Sequence, residues 1–194
     1  MPRPREFDED DVVARATDLF WRRGYHATSV RDLGEALDLS ASSLYRTFGD
    51  KHALFLRALD HYRATDSAEA RDHLLHPGPA PDVLREWLLR MVDLPEEGAA
   101  ARGCFVVNTA TELGAEDPAV DERTQAAFGV TREALREALE RGRRDGELRA
   151  DLDVAATAES LFTLVLGLRV RARAGHGPAE LTSVIDTTIS SLRR

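Results

Sequence analysis

Apolar residues recur every three or four positions along most of this chain, and glycines, prolines and capping residues cut that pattern into short blocks. Val12, Val13, Ala16, Leu19 and Phe20 share one face of a helix expected over residues 9–23, and Gly24 stops it. Ser29 followed by Asp32 resembles a capping box for a short helix reaching Leu37. Asp38 falls at a tight turn, where aspartate tolerates a left-handed backbone better than most residues. Ser40 caps the next helix, to Phe48; Gly49 breaks it, and Asp50 caps a long helix over 51–76. The segment Pro77-Gly78-Pro79-Ala80-Pro81 is a clear break. Further helices are expected over 82–93, 102–113, 117–146 and 153–173, with a loop through Pro95 and Gly98 and a last helix from Pro178 onward. No segment reads as a strand. The pattern predicts an all-α chain of about nine helices: a three-helix helix-turn-helix domain over 1–50 and a larger helical domain over 51–194.

Residues 33–48 carry the most chemistry. Leu44 and Phe48, four apart, mark the inner face of the second short helix. Ala41, Ser42, Ser43, Tyr45, Arg46 and Thr47 make an outer face of small polar groups with one aromatic and one guanidinium. Such a face suits a major groove, which admits a helix and rewards hydrogen bonding to base edges. Charge complicates this reading. The net charge is −8, and residues 1–50 alone hold seven arginines against ten acids, a balance of −3. The field at the contacting face is what counts, because charges beyond about 10 Å are largely screened at ~0.1 M salt. The acids gather at 6–11 and at Asp32, Glu35 and Asp38, away from that face.

Other features narrow the class. The N-terminus lacks the apolar segment of a secretory signal and no run approaches a membrane span, so the chain is expected to be cytoplasmic and to have no membrane partner. One cysteine, Cys104, allows no internal disulfide. The six histidines are scattered; His73 and His76 lie three apart without a further ligand at metal spacing. No nucleophile-and-base pair or phosphate-cradling glycine loop appears, so neither catalysis, a metal nor a cofactor is expected.

Residues 12–56 resemble the DNA-binding domain of the TetR family of bacterial transcription regulators. The likeness rests on Ala16, Leu19, Phe20, Gly24, Tyr25, Thr28, Ser29, Val30, Leu33, Ala36, Ser40, Leu44, Tyr45, Phe48, Lys51, Leu54 and Phe55, in order and without gaps. Two positions depart from the family: Asp38 replaces the usual turn glycine, and Ser42 a glycine common on the reading helix. The resemblance implies a ligand-responsive repressor that binds a palindromic operator as a homodimer. Base-edge contacts fall to Ala41, Ser42, Ser43 and Arg46, and phosphate contacts to Thr28, Tyr45, Thr47 and Lys51. Arg31, and Arg3 and Arg5 on an N-terminal arm, are further candidates.

For the larger domain two expectations follow. An effector pocket would be lined by Trp87, Met91, Cys104, Phe105, Asn108, Thr111, Glu112, Phe128 and Phe162, apolar with a few polar groups. Cys104 can be read either as a thiol sensor near a helix start or as a small buried residue. A four-helix dimer interface would use two apolar stripes, Leu161, Val165 and Leu168, then Leu181, Val184, Ile185, Thr188 and Leu192. The alternative is a helical small-molecule-binding protein or enzyme whose helix-turn-helix is only structural.

Overall fold

Capping chemistry places the helix starts in the computed structural model, which describes residues 7–92, 103–114 and 116–194. In α1 (Glu9–Arg23) the Asp8 side chain accepts from the Asp10 N–H, and Gly24, at φ 85°, ends the helix. Three acids in its first turn and two arginines in its last complement the helix dipole. Ser29 and Asp32 form the expected reciprocal box at the start of α2 (Val30–Leu37). Asp38 then takes the left-handed conformation, at φ 56°, and the Leu39 N–H donates to the Gly34 carbonyl at 3.0 Å. This close turn needs Gly34: a Cβ there would stand 2.9 Å from the Leu39 carbonyl oxygen. Ser40 caps α3 (Ala41–Phe48) and Asp50 caps α4 (Lys51–Tyr62), each accepting a backbone N–H three residues on.

The long helix expected over 51–76 is not uniform. A π-helical stretch, Arg63–Ser67, separates α4 from α5 (Ala68–Leu74). There Thr65 Oγ1 donates to the His61 carbonyl at 2.9 Å, a side-chain bond that competes with the regular backbone ladder. α6 (Ala80–Arg90) starts earlier than expected because Pro81 sits within its first turn, where a missing N–H costs nothing. α7 is Phe105–Glu112, α8 Pro118–Arg144, α9 Val154–Arg173 and α10 Pro178–Leu192. With α4 to α5 taken as one, the described residues hold nine helices and no extended strand; Leu148 and Arg193 form one isolated bridge. Arg3, Arg5, the loop through Pro95 and Gly98, and Arg102 lie outside the described residues.

Contacts divide the chain into two units: Met1–Thr65 with Phe105–Gln125, and Asp66–Cys104 with Ala126–Arg194. The division therefore does not fall at residue 50. α4 packs along α1 through Leu54, Phe55 and Ala58, all buried, and Phe105 of α7 completes an aromatic cluster. Its ring lies 5.8 Å from Phe55, 5.6 Å from Tyr62 and 6.4 Å from Trp21. In the second unit one core joins Leu84, Trp87 and Leu88 of α6 to Leu135 and Leu139 of α8, Phe162 of α9 and Ile185 of α10.

This core corrects the expected dimer stripes. Leu161, Val165, Leu168, Leu181, Ile185 and Leu192 are buried in the cluster of their own chain, and Val184 and Thr188 are half-buried. The stripes are real, but they cover α6 and α8. None of the helices among the described residues is long and apolar enough to cross a membrane.

Candidate nucleic-acid interface

α3 presents the face its spacing predicts. Leu44 and Phe48 are buried beneath it, while Ala41, Ser42, Tyr45 and Arg46 are exposed and Ser43 and Thr47 half-exposed. Tyr45 keeps 49% of its surface accessible, high for so large an aromatic side chain. Ser40 Oγ accepts from the Ser43 N–H at 3.1 Å and lies 3.0 Å from both Ser42 Oγ and Ser43 Oγ. Arg46 Nη2 donates to Ser43 Oγ at 3.4 Å, so the polar face is pre-arranged by its own side chains.

Arg46 stands apart electrostatically. In the first unit Arg15, Arg22, Arg23, Arg31, Arg57, Arg63 and Arg123 each lie within 4.0 Å of a carboxylate. Among the described residues of that unit, Arg46 is the arginine with no such partner. The acids that make the N-terminal balance negative are thus partly neutralised elsewhere, while the guanidinium on the reading face stays available. A fork of free donors on an exposed helix is what bidentate recognition of a base edge or phosphate requires.

The loop between α1 and α2 revises one assignment and gives another residue a second role. Thr28, expected at phosphate, is fully buried, and its Oγ1 donates to the Gly24 carbonyl at 2.7 Å. Lys51, also expected at phosphate, donates from Nζ to the Tyr25 carbonyl at 3.0 Å and the Thr28 carbonyl at 2.9 Å. Its ammonium lies 4.0 Å from the centre of the Tyr25 ring. Lys51 thus ties this loop to the start of α4, because its stem reaches two carbonyls that no helix satisfies. Burial, with the nearby Asp50 and Asp117 carboxylates, pushes the Tyr25 phenol above its ordinary range. Arg31 is exposed as expected but pairs with Glu35, at 2.8 Å. At the α2 cap the Ser29 hydroxyl and N–H, joined by Arg23, hold the Asp32 carboxyl at about 2.

Two family models match the chain, one described as bacterial regulatory proteins of the tetR family, over residues 12–58, and one as the tetracyclin repressor-like C-terminal domain, over residues 80–188. The chain is 30% identical to an uncharacterized HTH-type transcriptional regulator, YezE of Bacillus subtilis strain 168, over 99% of this chain and 100% of that protein. It is 28% identical to the HTH-type transcriptional repressor ComR of Escherichia coli K12, over 96% and 90%. Among solved structures it is similar to a cysteine mutant of the TetR-family regulator CifR complexed with 26-base-pair operator DNA, at 34% identity and a TM-score of 0.85, covering 98% of this chain and 99% of that one. This chain belongs to the TetR family.

As a TetR-family member it is a transcriptional regulator rather than an enzyme. The nine residues expected to line an effector pocket of this TetR-family chain do not form one cluster within either unit. Trp87, Met91, Cys104, Phe128 and Phe162 belong to the second unit; Phe105, Asn108, Thr111 and Glu112 belong to the first. Trp87, Met91 and Phe162 are buried together, Phe128 packs on them with its ring 5.3 Å from that of Phe162, and Cys104 is half-buried.

In the first unit Phe105 fills the aromatic core, and Thr111 is exposed with its hydroxyl turned back to the Asn108 and Val107 carbonyls. Glu112 is committed elsewhere: its Oε2 accepts from the Tyr25 N–H at 3.0 Å and its Oε1 from the His26 N–H at 2.8 Å. Nothing near Glu112 in sequence signals this, since its partners lie 87 and 86 residues away. Asp117, the cap of α8, also receives His52 Nε2 at 2.6 Å. Burial raises its carboxyl, but the Val120 and Ala119 N–H groups and His52 outweigh this and leave it below the ordinary value.

Proposed function

We propose that this chain is a homodimeric repressor that sets α3 in the major groove at each half of a two-fold operator and is released by a small-molecule effector. The observation that carries the reading is Arg46, an exposed guanidinium without a carboxylate partner, on a helix whose opposite face is buried. Ser42, Ser43 and Tyr45 share its exposed side and supply short polar contacts around it. The named repressor among its relatives and the operator complex of CifR support the same role. A repressor of this kind would act in the cytoplasm, where it meets the chromosome.

The dimer would use the outer faces of α9 and α10, opposite the buried stripes. Ser160, Thr163, Gly167 and Val170 are exposed at helical spacing on α9, as are Ser183 and Thr187 on α10. The hydroxyls of Ser160, Thr163 and Thr187 donate back to carbonyls of the same helix, at 2.8–2.9 Å. The faces thus present small groups that let a second copy approach closely, and Val170, 54% exposed, adds apolar area. A two-fold dimer matches a two-fold operator. The effector would seat in the second unit beside Trp87, whose indole N–H is buried with no acceptor. An effector with an apolar body and one hydrogen-bond acceptor meets that group.

Fluorescence anisotropy on a selected operator tests the reading. Arg46→Ala should weaken binding by about 1–3 kcal/mol while leaving the unfolding midpoint unchanged. Tyr45→Phe should weaken it less. Wild-type affinity in a folded Arg46→Ala protein would remove the proposal.

A further inference from the structure

The geometry points to Glu112 as a positioning residue for operator binding: its carboxylate holds the loop between α1 and α2, and with it the start of α2, in the reading shape. This rests on the operator-binding reading above. Glu112 is the last residue of α7 and takes two consecutive backbone N–H groups, those of Tyr25 and His26, one on each carboxylate oxygen. The approach is close enough to constrain its neighbour. A Cβ on Gly24 would lie 2.8 Å from Glu112 Oε2, so any larger residue there would have to push the carboxylate aside.

The same loop is gripped twice. Glu112 takes its N–H groups, whereas Lys51 takes its carbonyls at Tyr25 and Thr28, and Thr28 Oγ1 closes it on the Gly24 carbonyl. Ser29, the next residue, caps α2, which packs on α3. An anion and a cation on complementary backbone groups restrain the loop from both sides, at half-buried Tyr25, exposed His26 and buried Thr28. Removing the anion frees two donors at the hinge from which α2 and α3 are hung.

The test compares Glu112→Gln, Glu112→Ala and Arg46→Ala with the unaltered protein. Operator affinity is measured by anisotropy, amide hydrogen exchange is followed at residues 25 and 26, and thermal unfolding reports the folded fraction. Glutamine keeps one accepting oxygen but turns an NH2 toward the second N–H donor. It should weaken operator binding roughly tenfold per folded molecule and speed exchange at both amides. Alanine should weaken binding further. A role confined to stability predicts a lower midpoint with unchanged affinity of the folded protein. That outcome, or wild-type affinity in folded Glu112→Gln, overturns the proposal. If alanine prevents folding, the glutamine variant decides alone. Loss of affinity in Arg46→Ala with none in the Glu112 variants sinks this inference and leaves the operator reading intact, whereas no loss in Arg46→Ala sinks the operator reading itself.

Discussion

Lys51→Met separates a clamp from a phosphate contact. Methionine keeps most of the apolar stem and deletes the ammonium that donates to the Tyr25 and Thr28 carbonyls and lies over the Tyr25 ring. Hydrogen bonds to charged groups contribute about 1.5–3 kcal/mol each, and a cation over an aromatic ring about 0.5–1 at exposed sites. Lys51 is half-buried, so water replaces part of what is lost, and solvent screening lowers the sum. A net cost of about 2 kcal/mol follows, and for a chain of this size that lowers the thermal midpoint by roughly 4–8 °C. Thermal and urea unfolding check the figure. Operator titration across a series of salt concentrations then distinguishes the roles. A clamp leaves the slope of log affinity against log salt as it was, because no phosphate contact has gone. A stability change within about 0.5 kcal/mol, together with a slope smaller by about one, would make Lys51 a phosphate contact and refute the reasoning.

Phe105→Ala empties a fully buried site ringed by Phe55, Tyr62 and Trp21, and urea unfolding should show a loss of about 3–5 kcal/mol; a loss near 1 would mean the cluster collapses around the gap. Gly24→Ala must adopt φ 85° against the Glu112 carboxylate and should cost about 1–3 kcal/mol by the same assay. Asp32 is held at about 2, below its ordinary 3.8, so its contribution is complete above that ordinary value and is lost as pH falls toward 2. The stability difference between the unaltered protein and Asp32→Asn should therefore shrink over that interval, and a constant difference in urea midpoints would contradict the assignment. Gly167→Arg puts a charge in the proposed α9 contact, where a Cβ meets nothing within 4 Å, and light scattering should show a folded monomer.

What could be read in advance was what is local. Ser29, Ser40, Asp50 and Asp153 act on backbone groups three residues away, so their helices begin where the residues themselves say. The polar face of α3 follows from spacing within eight residues. Partners that lie far apart in the chain leave no such local signal. The carbonyls that Lys51 takes lie 26 and 23 residues back, and Glu112 reaches across 87 and 86. A polar residue near an expected pocket looks the same in sequence whether it faces a ligand or a backbone amide.

The apolar stripes of α9 and α10 misled for a related reason. Burial was correctly signalled, but Leu161 and Ile185 meet their own core. The opposite faces are built of serine, threonine and glycine, whose hydroxyls bond within the helix, so they carry no strong hydrophobic signature. The boundary at residue 50 marked a true helix break at Gly49, yet α4 packs on α1 and stays with the reading unit.

The central claim is that the exposed face of α3, led by Arg46, reads an operator. Selection of genomic fragments by the purified protein at moderate salt, run in parallel with Arg46→Ala, tests it most directly. If α3 reads an operator, one two-fold motif is enriched, with half-sites about 10 base pairs apart or a multiple of that spacing, and it is lost in the variant. No enriched motif, or the same motif recovered equally by Arg46→Ala, would contradict it.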